Sequence, residues 1–113
     1  MLNEKKLQVI ISELCEGLSN IFPDEKMDVI IFGSYARGDN TDESDIDVLL
    51  LVDASREVIS MRSWQVGNVA ADLLLSYGIL VSPIIENREY FNTNAEALPF
   101  YRNICSEGVR FSA

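Results

Sequence analysis

Val29–Leu51 reads VIIFGSYARGDNTDESDIDVLLL, and the order of its parts decides the fold. An apolar run rich in β-branched residues stops at Gly33-Ser34. A polar segment dense in turn formers follows, and a second apolar run opens with Asp45-Ile46-Asp47. This is the pattern of strand, connection, strand. Residues alternate faces along a strand, so Asp45 and Asp47 project from one side while Ile46 and Val48 take the other. Their Cα atoms then lie roughly 6.6 Å apart, and at an effective dielectric of about 20 two bare carboxylates roughly 5 Å apart repel by about 3 kcal/mol. A divalent cation removes that cost. Mg²⁺, with Mn²⁺ as its substitute, suits the pair because a hard cation prefers oxygen ligands and keeps positions open for water and phosphate oxygens.

Gly33-Ser34 supplies the other half of the chemistry. Glycine at a strand end permits unusual dihedrals and close approach of another group, while Ser34 is expected to cap a short helix beginning near Tyr35. Backbone N–H groups at such a turn attract anions, so a nucleotide phosphate fits between Ser34 and a metal on Asp45 and Asp47. Arg37, one helical turn past Ser34, either pairs with that phosphate or stands as a solvated surface residue. Asp39, Asp42 and Glu43 are read first as solvated loop acids, and Ser44 as shaping the entry to the strand.

Gly33-Ser34, ten intervening residues and Asp45-x-Asp47 resemble the signature of the DNA polymerase β-like nucleotidyltransferase superfamily, and the short chain resembles its minimal members. Four such residues at one fixed spacing arise by chance in on the order of one chain per thousand of this length. The resemblance implies an α/β fold, a mixed β-sheet with helices packed on it. It implies transfer of a nucleoside monophosphate from a nucleoside triphosphate to a hydroxyl acceptor, with Mg²⁺ and release of pyrophosphate. Asp45 and Asp47 would be the catalytic residues and metal ligands; Gly33, Ser34 and Arg37 would bind the nucleotide. The family also takes a third acid from a later strand, expected by register near Ser82, where this chain has serine. Glu86 shares a face with Ser82 but lies roughly 13 Å further along, and reads as a solvated strand end.

Proteins of the resembled minimal group often work beside a small all-helical HEPN-type partner, in some cases as the antitoxin of a toxin–antitoxin pair whose toxin they modify. By that analogy the acceptor is a side chain of a partner protein. A second function class is a binding module that keeps the fold, has lost efficient catalysis and acts by contact with a partner. Ser82 in place of an acid and the acidic composition motivate it, and turnover separates the two.

At 113 residues the chain fits one domain, 1–113, and should bury about two thirds of its unfolded surface. Apolar residues make up 48% and the net charge is −9, so the basic footprint of an autonomous nucleic-acid binder is missing. There is no histidine, which removes a Ser-His-Asp triad and histidine-ligated zinc and leaves carboxylates or metal-bound water to move protons. Cys15 and Cys105 form no Cys-x-x-Cys motif, and neither a secretory leader nor a membrane-length apolar run is evident. A cytoplasmic protein with reduced thiols is expected, with Cys15 acting as a small hydrophobe. The sequence leaves the oligomeric state open, a homodimer included.

Helical spacing of Leu7, Ile10, Ile11, Leu14, Leu18 and Ile21 predicts an amphipathic helix from about Asn3 to Asn20, ended by Phe22-Pro23-Asp24. A turn at Asp24, Glu25 and Lys26 leads to a strand over Met27–Phe32. After the second strand, Asp45–Val52, Ser55 is expected to cap one long helix, Arg56–Tyr77, buried along Ile59, Val66, Val69, Ala70, Leu73, Leu74 and Tyr77. Gly67 suggests a close helix–sheet approach, and Trp64 a packing anchor rather than a base-stacking platform. Gly78 stops the helix. Ile79–Glu86 follows as a strand that Pro83 assigns to an edge or a bulge. Asn87–Asn94 reads as a connection, Ala95–Glu107 as a last helix containing Pro99, and Val109–Phe111 as a short terminal strand. Phe100-Tyr101-Arg102 resembles an exposed amphipathic patch, although aromatic residues there more often join the core.

Overall fold

The second apolar run becomes the centre of the molecule because neither of its faces can be left in water. In the computed structural model, which describes residues 4–23 and 26–111, this run is strand β2 (Ile46–Val52), flanked by β1 (Asp28–Phe32) and β3 (Val81–Asn87). A short fourth strand, β4 (Val109–Phe111), completes the order β3-β2-β1-β4. β1 runs antiparallel to β2 and to β4, whereas β3 runs parallel to β2, so the sheet is mixed. Pro83 lies on β3 at an edge of the sheet, where a missing ladder donor is tolerated.

The period of two along β2 sorts its side chains between two cores. Ile46, Val48, Leu50 and Val52 join Val29 and Ile31 against helix α1 (Glu4–Ile21) and helix α4 (Ser63–Tyr77). Leu49 and Leu51 join Ile30 and Phe32 on the other face, beneath α5 (Arg88–Asn94) and α6 (Pro99–Glu107). Each fully buried aliphatic side chain stabilises the fold by about 1.5–3 kcal/mol, so β2 holds both layers together. Asp47 belongs by alternation to the second face, at the open end of that core.

The first helix forms as its periodicity predicts, with Ile10, Ile11, Leu14, Leu18 and Ile21 buried. The turn expected at Asp24 and Glu25 lies outside the described residues. The expected long second helix is two: α3 (Arg56–Met61), capped by Ser55, whose side chain accepts from the Val58 N–H, and α4. The break falls at Arg62, whose Nη1 donates to the Ile21 carbonyl oxygen at 2.7 Å and so ties the break to the end of α1. On α4 the buried stripe narrows to Val66 and Leu73, with Val69 and Tyr77 partly covered; Leu74 is exposed, and Trp64 is 66% exposed rather than a packing anchor. Val81–Asn87, two residues shorter at its start and one longer at its end, replaces the expected third strand. The expected connection at Asn87–Asn94 is helix α5, because the Asn87 side chain accepts from the Tyr90 N–H and caps it, and α6 begins with Pro99 in its first turn.

Two further expectations are corrected. Glu86 is not a solvated strand end but is buried, accepting from Tyr101 Oη at 2.5 Å, Arg56 Nε at 3.2 Å and the Asn87 N–H at 2.8 Å. It faces Ser82's side of the sheet, yet it is fully committed to holding α6 and α3. The close helix–sheet approach assigned to Gly67 does not form, since nothing lies within 4 Å of a Cβ there; the tight contact of α4 is with α1, where a Cβ at Gly17 would stand 2.8 Å from Val69 Cγ1. Gly67→Ala is therefore expected to stabilise the protein by about 0.5–1 kcal/mol, read as a rise in the urea midpoint without a change in slope.

Candidate active site

The two halves of the motif meet where β1 ends beside the start of β2. Phe32 lies opposite Asp47 in the β1–β2 ladder, so the residue after Phe32 must turn sharply away. Gly33 makes that turn with φ 73° and ψ −152°, a region essentially restricted to glycine. Helix α2 (Ser34–Arg37) starts at once, with Gly33 as its N-cap. Ser34 is thus the first helical residue and makes no side-chain capping bond, which corrects the expected cap. Asp45 precedes β2 by one residue and is exposed, held in line by the Ile46 N–H donating to the Leu80 carbonyl oxygen. The loop before it is shaped by Ser44, whose Oγ accepts from the Thr41 N–H at 2.8 Å.

Gly33, Ser34, Arg37, Asp45 and Asp47 line one cleft of about 410 Å³, walled by Phe32 and by Phe100, Asn103, Ile104 and Glu107 of α6. The five sequence-designated residues therefore share one cavity, and Asp39, Asp42 and Glu43 are exposed outside its lining. Partial burial raises the Asp47 carboxyl above the usual carboxylate range, Asp45's charge pushes it further, and Arg37 opposes both. Burial, with Asp42 and Asp45, likewise raises the Tyr35 hydroxyl. Two adjoining carboxylates thus repel each other in a half-dry cleft, the condition a cation relieves. Ser82 pairs with Asp47 in the parallel β2–β3 register, so the neighbouring strand brings a hydroxyl there instead of an acid. Among the described residues no group of three or more His, Cys, Asp or Glu side chains is gathered for a metal. A two-carboxylate set nonetheless fits Mg²⁺, which usually takes one or two protein carboxylates and fills its shell with water and phosphate oxygens.

The contribution of α6 to the cleft was not anticipated, Glu107 above all. Glu107, the last residue of α6, accepts from the Gly33 N–H at 3.2 Å and from Arg37 Nη1 at 3.3 Å, while Arg37 Nε donates to Asp39 at 3.2 Å. The terminal strand brings it there. Ile31 pairs with Val109 in the antiparallel β1–β4 ladder, and continuing that register two residues sets Glu107 beside Gly33. The expected strand at Val109–Phe111 held that signal, but its register is not written in the sequence. Cys15 is half-buried, and burial raises its thiol, consistent with a packing role. No described helix is long and apolar enough to cross a membrane.

The fold and this cleft define a nucleotidyltransferase architecture, and comparison with known proteins agrees. The profile of the nucleotidyltransferase domain family matches residues 11–102, and the chain belongs to that family. A Methanocaldococcus jannaschii protein named as a proposed protein adenylyltransferase is 36% identical over 107 residues, which is 95% of this chain and 96% of that one. The crystal structure of a proposed nucleotidyltransferase from Sulfolobus solfataricus superposes with a TM-score of 0.60 at 25% identity, covering 92% of this chain and 78% of the other. A toxin–antitoxin crystal structure with AMP-PNP shares the fold at a TM-score of 0.53 and 16% identity, covering 88% of this chain and 69% of that one.

Proposed function

We propose that this protein transfers AMP from ATP to a hydroxyl group on a partner protein. The observation that carries the reading is the convergence of Asp45, Asp47, Gly33, Ser34 and Arg37 on one cleft. The name of the M. jannaschii relative supports adenylate as the transferred group and protein as the acceptor. The toxin–antitoxin likeness, a fold likeness, fits a small helical partner of the HEPN type. Asp45 and Asp47 would hold Mg²⁺, which supplies charge neutralisation on the triphosphate when bound. Gly33 and Ser34 would set the height of the triphosphate, and Arg37 would exchange its carboxylate partners for phosphate oxygens. Positioning and electrostatics carry most of a phosphoryl-type transfer, so rigid small residues at the turn suffice. The cavity is small and the acidic chain has few groups to grip an acceptor, which leaves acceptor choice to the partner.

The test is Mg²⁺-dependent incorporation of label from α-labelled ATP into protein, with pyrophosphate release, using the protein co-purified with its cellular partner. Signal is expected from the wild type and not from the Asp47 variant argued below; equal signals would refute the assignment. Ser82 beside Asp47, where the fold could carry a third acid, favours a second reading, a nucleotide-binding module without efficient turnover. Binding of Mg·ATP with no pyrophosphate release in the presence of the partner would select it.

Glu107 competes with the triphosphate for Arg37 and the Gly33 amide. Glu107→Gln keeps an acceptor for that amide and removes the charge, so it is expected to lower the half-saturating Mg·ATP concentration by about 2- to 5-fold, the scale of a partly exposed ion pair. A rise in that concentration would show that the carboxylate acts by holding the turn in place.

A further inference from the structure

Helix α6 presents one face to the cleft through Phe100, Asn103 and Glu107, spaced three and four residues apart. Beside its C-terminal end the Gly33 amide and Arg37 form an anion-binding point, which the Glu107 carboxylate occupies. Its other end is aromatic. Phe32 lies opposite Asp47, so the two leave the sheet side by side, and the Phe100 ring meets Phe32 edge to face at 5.7 Å. Phe100 remains 48% exposed, with an open ring surface at the rim of the cleft. Asn103, one turn further along, is exposed and has no side-chain partner among the described residues. About 10 Å of helix separates Phe100 from Glu107, comparable to the reach from phosphate to base in an extended nucleotide.

We propose that Phe100 and Asn103 form the nucleoside subsite of this cleft, the ring stacking on adenine and the side-chain amide pairing with the N6 and N7 edge. The proposal rests on the nucleotidyl-transfer reading above and adds where the base lies and what selects it. An asparagine amide offers one donor face and one acceptor, the complement of adenine's N6 donor and N7 acceptor. Guanine presents O6 and N7, two acceptors, to the same amide and leaves its oxygen without a donor.

Calorimetry with Mg·AMP-PNP, Mg·GMP-PNP and Mg·tripolyphosphate tests it, since the last ligand reads the phosphate end alone. Phe100→Leu, which keeps apolar packing on Phe32, is expected to weaken AMP-PNP binding by about 10-fold or more while leaving tripolyphosphate unchanged. Phe100→Tyr should restore it. Asn103→Leu should bring AMP-PNP and GMP-PNP to within about 3-fold of each other. The inference is overturned if Phe100→Leu binds AMP-PNP as the wild type does, if it weakens both ligands equally, or if the wild type binds AMP-PNP no better than tripolyphosphate. Wild-type protein that binds neither ligand would remove the parent reading as well.

Discussion

Asp47→Asn is expected to reduce nucleotidyl transfer by about 100-fold or more and, at neutral pH, to raise the thermal midpoint of the free protein. The loss follows from position. Asp47 and Asp45 are the two cleft carboxylates not engaged by Arg37 and the Gly33 amide, which hold Glu107, and an amide at Asp47 offers a divalent cation no negative charge. Removing one electrostatic element aimed at the reacting phosphate typically costs about 10²–10³-fold in rate. The stability gain follows from the raised carboxyl. Burial and Asp45 push its folded value above that of the unfolded chain, so ionisation in the folded state is penalised. The penalty is absent below the unfolded value, develops as pH rises through the folded value, and stays constant above it. The isosteric amide removes it. The same shift predicts that metal-dependent activity falls on acidification at a higher pH than an ordinary carboxylate would give. Carboxyl ¹³C titration of Asp47 checks the causes: Asp45→Asn should move it down and Arg37→Gln should move it up. Transfer at wild-type rate in Asp47→Asn would show that the pair is not the metal site.

The fold was legible wherever a run of apolar residues had to be covered. The continuous apolar run of β2 demands cover on both faces and the spacing in α1 demands cover on one, and both elements formed, with Leu7 of α1 only partly buried. The motif residues were legible because a turn and a strand start lie close in sequence and bring their own geometry. What escaped were contacts made across the fold. Glu107 reaches Gly33 only through the β1–β4 register, and Glu86 is buried only because Tyr101 and Arg56 arrive from two other helices. A spacing pattern carries neither fact. The break at Arg62 is of the same kind, since its partner is the carbonyl of Ile21 at the end of a helix far away in sequence. Trp64 shows the opposite error: a large aromatic in a helix reads as a packing anchor, yet α4 turns that residue to the outside. Residue identity alone cannot say which stripe of a mostly apolar helix is covered.

Gly33→Ala is expected to abolish measurable transfer and to destabilise the protein by about 2–4 kcal/mol, for two separable reasons. The first is local. At φ 73° and ψ −152° a side chain is strained whatever space surrounds it, at about 1–3 kcal/mol. The second is a collision with the chemistry itself, because the new Cβ would stand 2.4 Å from Asp47 Oδ2. Asp47 sits on the central strand and cannot retreat without disturbing the pairing with Phe32, so its carboxylate must rotate out of the cleft. The two contributions part in a double-mutant cycle. In an Asp47→Ala background the carboxylate is gone, and Gly33→Ala should then cost only the backbone strain, a difference of about 1 kcal/mol or more between backgrounds by urea denaturation. Identical costs in both would mean that the turn is strained but does not set the position of Asp47. A Gly33→Ala protein with wild-type stability and transfer would remove the structural reason for a glycine at this position, and with it the link between the sharp end of β1 and the carboxylates of β2.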